Sequence, residues 1–188
     1  MSKFEDALRF ALDAHRGMRR KRAGIPYILH PMEAATIAAS ITDDEDVLSA
    51  ALLHDVVEDT TVSLDEIRGA FGDRVAELVA SETENKRPEQ SPEDTWDVRK
   101  RESIKELTEC DDRDVHIVWL ADKLSNMRSF ARLYERDGND LWQNFNQKSP
   151  TRQAWYYEAV GEAVSDLSET AAWREYMFLV DMVFKGVV

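Results

Sequence analysis

The chain has 188 residues, 43% of them hydrophobic and 32% charged, proportions of a folded globular protein and far from those of a disordered one. Its formal net charge of −13 argues against a nucleic-acid polymer as partner, and its single cysteine, Cys110, excludes an intramolecular disulfide and a cysteine-based zinc site. No uncharged apolar run is long enough to cross a bilayer, and the N-terminus lacks a basic segment leading into an apolar one, so a cytoplasmic protein without a membrane partner is expected.

Phe4, Ala7, Leu8, Ala11, Leu12 and Ala14 recur at helical spacing up to Gly17, which predicts a first helix. Gly24 and Pro26 mark a loop, and Pro31 suits the first turn of a second helix through Ala38, so His30 falls at a loop-to-helix junction. Asp43 or Asp44 caps a third helix with Val47, Leu48, Ala51, Leu52 and Val56 on its apolar face and His54-Asp55 near its end. Thr60-Thr61 break it. Ser63-Leu64-Asp65-Glu66 then reads as a capping box opening a short helix that ends at Phe71-Gly72, and Asp73 caps the next.

The polar stretch 82–94, with Pro88 and Pro92, is expected to be a mobile loop. Helical patterns resume over 96–107, 115–134, 151–167 and 172–184, and the β-like run Val115–Leu120 flows straight into one of them. The expected fold is therefore an all-α helical bundle, one domain over 1–188 with 168–188 as a C-terminal helical extension packed on it.

Chemistry concentrates at a few places. The run Arg19-Arg20-Lys21-Arg22 is either a solvated basic turn or a seat for a small polyanion, and arginine forks beside a flexible lysine are suited to phosphate oxygens. His54-Asp55, followed one turn later by Glu58-Asp59, crowds four polar groups at the end of an apolar helix, and buried carboxylates are costly unless paired or bound to a cation. His30 and Asp122 are likewise polar residues inside apolar stretches. Two imidazoles and two carboxylates make a mixed nitrogen and oxygen set that suits manganese, iron, cobalt or zinc better than calcium.

Three stretches, Gly24-Ile25-Pro26-Tyr27-Ile28-Leu29-His30-Pro31, Ala50–Thr60 and Leu120-Ala121-Asp122-Lys123-Leu124-Ser125-Asn126-Met127-Arg128, resemble the HD-type hydrolase domain of Rel/SpoT alarmone enzymes, above all their free-standing relatives, the small alarmone hydrolases. The resemblance implies an HD-domain bundle with a central metal site, in which His30, His54, Asp55 and Asp122 bind one Mn2+. It implies catalytic carboxylates at Glu58 and Asp59, and nucleotide contacts at Arg20, Lys21 and Asn126. The implied reaction removes pyrophosphate from the 3′ position of guanosine tetra- or pentaphosphate. Ser125 and Trp119 depart from the family pattern, where His and Lys are common.

Other positions stay open between two readings. Arg99 and Lys100 either reach a second diphosphate or form ion pairs on a solvent-facing helix, and Lys148 and Arg152, with Tyr156 and Tyr157, either flank a nucleotide or belong to the packing. His15 either orients the site or is a core histidine. His116 has no expected role. Rival functions are a broader nucleotide phosphohydrolase and a non-catalytic nucleotide-binding module; the Glu58-Asp59 pair favours catalysis. The sequence names no oligomeric partner.

Overall fold

The computed structural model describes residues 2–20, 24–84, 87 and 89–185, the side chain of Asn144 aside, and its regular elements are helices. α1 (Lys3–Ala14) begins at a capping box between Ser2 and Glu5. α2 spans Leu29–Ala38, α3 spans Glu45–Leu53 behind the cap Asp44, and α4 is the single turn Val56–Asp59. α5 (Leu64–Phe71) opens on the expected Ser63–Glu66 box, and α6 (Asp73–Glu82) follows at once. α7 (Pro92–Glu109) and α8 (Arg113–Asp137) lead through a 3-10 segment, Gly138–Asn144, to α9 (Pro150–Ala163) and α10 (Ala171–Phe184).

Several boundaries differ from the sequence reading for identifiable reasons. The third helix does not run unbroken to Thr60: it stops at Leu53, turns at His54-Asp55 and resumes at Val56. Successive helical residues point about 100° apart, so a break lets two adjacent side chains face one centre. Gly72, with φ +92, rather than Asp73, stands at the N-cap of α6, a left-handed conformation that glycine adopts freely. The connection after α6 is shorter at both ends than the polar stretch implied. Glu82 is helical and buried, with Lys123 as its counter-charge, and Ser91 caps α7 with Pro92 in its first turn.

The 25 residues of α8 make a rod roughly 37 Å long, the axis of the molecule. Every residue from Val115 to Ser125 is buried, the pattern of a helix surrounded on all sides. α2, α3, α6, α9 and α10 pack around it, while α1 lies on α3 and α7 on α9. Ser49, Ala50 and Ala51 on α3 are small and fully buried, so its backbone can approach its neighbours closely. The loops at the start of α2 and the end of α3 thereby meet the middle of α8. No helix among the described residues is long and apolar enough to cross a membrane.

Candidate metal centre and substrate cavity

The start of α2, the break after α3 and the middle of α8 bring His30, His54, Asp55 and Asp122 together. The two Nε2 atoms are 3.3 Å apart; Asp122 Oδ1 lies 3.0 Å from His30 Nε2 and 3.5 Å from that of His54, and Asp55 Oδ2 lies 3.4 and 3.1 Å from the same atoms. His30, His54 and Asp122 are buried, and Asp55 is partly so.

Hydrogen bonds behind the rings decide what faces the centre. Ser125 Oγ donates to Glu33 Oε2 (2.7 Å), so toward His30 Nδ1 (2.8 Å) it is an acceptor and that nitrogen carries the proton. His54 Nδ1 faces the carbonyl of Ala51 at 2.8 Å, an acceptor only, and is protonated for the same reason. In the neutral form both rings then aim Nε2 lone pairs at two carboxylates. Four acceptors with nothing positive between them repel, and atoms about 2.1 Å from one ion at right angles to each other stand about 3 Å apart, close to these spacings. The donor set fits a divalent transition metal, whose imidazole affinity calcium does not share.

Electrostatics agree. Burial pushes Asp55 up, but the His54 and His30 imidazoles outweigh it and hold the carboxyl well below its ordinary range. Asp122 is treated the same way, with Lys123 the largest opposing influence on burial. Burial lowers His54, yet Asp55 and Asp122 carry it well above the ordinary imidazole value: the two carboxylates favour positive charge at this centre.

The support extends outward. Asp122 Oδ1 accepts from Asn126 Nδ2 (2.7 Å), and Oδ2 from the Lys123 ammonium, which also meets Glu82 Oε2 at 3.2 Å and rests 4.6 Å from the Trp119 ring centroid. Burial raises the Glu82 carboxyl to about 7 although Lys123 pulls it down. Trp119 is turned away from solvent and donates from Nε1 to Ser81 O at 3.1 Å. Sequence reasoning assigned no role to Lys123, Glu82 or Glu33, because their partners lie 41 and 92 residues away.

Tyr27 was also missed, counted only as part of an apolar stretch. Its hydroxyl lies 2.6 Å from Asp55 Oδ2 and 2.8 Å from Asp59 Oδ2, so it donates to either carboxylate and links the His–Asp cluster to Asp59. Burial and those two carboxylates raise its pKa, keeping it a donor. His15 is buried, packs on the Tyr27 ring with centroids 4.8 Å apart, and is lowered by burial toward its neutral form. His116 ties α8 to Asp166, 2.6 Å from Nδ1, and to the Cys110 carbonyl, 3.0 Å from Nε2.

Beside the cluster opens a cavity of about 730 Å³, walled by Arg20, Asp59 and Asn126 at one end and by Phe130, Phe145 and Tyr157 beyond. Its size suits a nucleotide. Arg20 Nη2 donates to Asn126 Oδ1 at 2.8 Å, and the guanidinium sits 5.6 Å from the Tyr27 ring centroid. The basic turn is closed by Tyr27 N to Met18 O and Arg20 N to Ile25 O, both 3.0 Å. Lys21 lies outside the described residues. Asp59 is exposed to the cavity, and Glu58 is half-buried near enough to Lys100 for its charge to act on that ammonium.

The remaining candidates are not on the wall of this cavity. Arg99 and Lys100 both meet Glu84, at 2.5 Å each; Arg99 lines a separate cavity of about 140 Å³, and Lys100 rests 4.4 Å from the Tyr156 ring centroid. Arg152 pairs with Asp97 at 2.9 Å, and Lys148 is exposed ahead of α9.

Residues 7–151 match the HD domain family. The chain belongs to it. This HD-domain chain is 37% identical, over 131 residues, to the guanosine-3′,5′-bis(diphosphate) 3′-pyrophosphohydrolase MESH1 of Danio rerio, covering 68% of each. It is 35% identical to the guanosine-3′,5′-bis(diphosphate) 3′-pyrophosphohydrolase of Aquifex aeolicus, matching 65% of this chain but only 17% of that longer protein. Its fold superposes on the structure described as a metazoan ortholog of SpoT that hydrolyzes ppGpp, with a TM-score of 0.75, 28% identity, and coverage of 100% of this chain and 98% of the other.

The contact behind His30 yields a direct expectation. In Ser125→Ala the His30 Nδ1–H loses its acceptor, and the ring is free to rotate or change tautomer. Metal affinity should fall by about tenfold or more, the usual effect of removing a partner behind a ligating histidine. Titration of the metal-free variant with Mn2+ measures this. Unchanged affinity would mean that Ser125 does not orient the ring.

Proposed function

We propose that this HD-domain chain is a metal-dependent phosphohydrolase that removes pyrophosphate from the 3′ position of guanosine 3′,5′-bis(diphosphate). The observation that carries the reading is the ring of four acceptor atoms, two imidazole nitrogens and two carboxylate oxygens 3.0–3.5 Å from one another across each His–His and His–Asp contact, opening on a nucleotide-sized cavity. The named activity of the relatives supports the substrate. We assign Mn2+ as the ion, one per chain, held by His30, His54, Asp55 and Asp122, and residues 1–188 as one domain with 168–188 packed on its bundle.

A divalent ion bound there supplies Lewis acidity, easing loss of a proton from water and drawing charge from a phosphate oxygen. The protein does the rest. Arg20, Asn126 and, by resemblance, Lys21 hold the 3′-diphosphate against the site. The water oxygen bonds to the phosphorus next to the ribose, and the bond from that phosphorus to O3′ breaks. Glu58 or Asp59 takes the water proton and a proton is delivered to O3′, so guanosine 5′-diphosphate and pyrophosphate leave. Tyr27 keeps Asp59 oriented. Arg99 and Lys100 would reach substrate only by releasing Glu84, and Arg152 only by releasing Asp97.

The test is a nucleotide panel with Mn2+, with pyrophosphate and orthophosphate measured separately. Guanosine 3′,5′-bis(diphosphate) should be turned over fastest and release pyrophosphate intact. Equal hydrolysis of nucleoside triphosphates, or orthophosphate as first product, would replace this reading with a broader phosphohydrolase; binding without turnover would make it a nucleotide-binding module.

A further inference from the structure

The chain carries 37 acidic and 24 basic residues, and most guanidinium groups lie against carboxylates: Arg68 on Asp65, Arg74 on Asp112, Arg99 on Glu84, Arg128 on Glu175. Arg19, Arg20 and Arg132 are different. Among the described residues none of them has a carboxylate ion pair, and all three line the large cavity. Arg20 belongs to the metal end through Asn126, and Arg136, farther along, is taken up by Asp137 with two contacts of 2.6 Å.

Among the described residues Arg19 and Arg132 hold neutral partners only. Arg19 Nη1 donates to the Gly24 carbonyl and Arg132 Nη2 to Ser129 Oγ at 3.2 Å, contacts that orient the forks and leave their charge uncompensated. On α8, Arg132 stands six residues past Asn126 and ten past Asp122, roughly 9 and 15 Å along the axis, too far for a diphosphate seated at Asp122 to satisfy it. Phe130 lies between, packed edge-on against Phe145 with centroids 5.0 Å apart. The cavity thus carries cations at the Arg20 end and again at Arg132, with Phe130 and Phe145 between, and Arg19 contributes to the same wall from the loop that faces α8. Its complement is a ligand with phosphates at both ends and a flat, less polar body between them.

We propose that Arg19 and Arg132 form a second anion subsite that takes the phosphate chain on the 5′ side of the nucleotide. The proposal rests on the 3′-pyrophosphohydrolase reading for which end lies at the metal. It makes the 5′ phosphates a specificity element: the protein selects ribonucleotides phosphorylated on both sides of the sugar.

The test compares guanosine 3′,5′-bis(diphosphate) with its analogue bearing the 3′-diphosphate and a free 5′-hydroxyl, in the natural protein, in the Arg19→Ala/Arg132→Ala variant and in Arg132→Lys. Both arginines are exposed, so the fold should persist, as circular dichroism would confirm. The natural protein should favour the doubly phosphorylated nucleotide in kcat/KM. The double variant should lose about tenfold or more of that preference, through KM, and Arg132→Lys should retain part of it, because charge-assisted bonds from arginine forks give way to a point charge. A preference that survives the double substitution, or is absent from the natural protein, overturns the subsite. If neither nucleotide is hydrolysed, the pyrophosphohydrolase reading fails by itself, and calorimetric binding of the same pair to the Mn2+-loaded proteins decides the subsite by the same ratio.

Discussion

Replacing Asp122 by alanine should remove metal and activity together. Its Oδ1 is one of the four atoms around the proposed ion, and both oxygens are fixed from behind, one by Asn126 and the other by Lys123. No other carboxylate among the described residues approaches the two Nε2 atoms from the α8 side, so alanine opens the centre instead of letting a neighbour substitute. The change also strips Lys123 of one of its two counter-charges and leaves a buried ammonium to Glu82 alone, which costs stability. Asp122→Asn, which keeps the shape and the Asn126 contact region but not the charge, separates the effects. Both variants should emerge from dialysis without stoichiometric metal by elemental analysis, and both should melt lower because each removes the charge facing Lys123, the alanine variant further because it also loses the acceptor for Asn126. Retention of a full equivalent in both would show that Asp122 is not a ligand.

The second large effect is expected at Glu58 and Asp59. They lie on the single turn α4, immediately beyond the His54-Asp55 break, and Asp59 reaches the cavity wall with Tyr27 donating to it. Glu58→Gln and Asp59→Asn preserve size and remove the capacity to move protons. Each should keep its metal and its fold and lose about 10²-fold or more in kcat, the range for general acid or base catalysis. Metal content, melting temperature and turnover measured on the same preparations separate this from a ligand's role. Near-normal turnover in both variants would remove these residues from the mechanism.

Much of the architecture was legible because it is local. Ser63 with Glu66 forms the expected capping box from side chains three residues apart, and Asp44, one of the two caps expected for α3, is the one used. The apolar run at Val115–Leu120 read as helix because its pattern continues beyond Leu120, and it became the buried axis. Glu82 was misjudged with the polar stretch after it, since only its ion pair with Lys123, 41 residues on, makes its burial tolerable. The break at His54-Asp55 was equally invisible: its reason lies in what both side chains face, not in local propensity.

The sequence by itself determined the helical class, the capping box at Ser63–Glu66 and the presence of His30, His54, Asp55 and Asp122 inside apolar stretches, because each depends on residues within a turn or two or on polar groups out of place. Tertiary structure alone decided how those groups can act. The tautomers of His30 and His54 follow from Ser125, 95 residues away, and from a carbonyl exposed by the break after α3. Tyr27 became a bridge between Asp55 and Asp59, across 28 and 32 residues. The same holds for the cations: Arg and Lys candidates that look alike in sequence are divided by folding alone, which sets Arg99, Lys100 and Arg152 against carboxylates and leaves Arg19 and Arg20 on one cavity wall, together with Arg132, which the sequence did not single out. Charge is a property of a residue, but whether that charge is free for a ligand depends on which opposite charge the chain brings within a few ångströms of it.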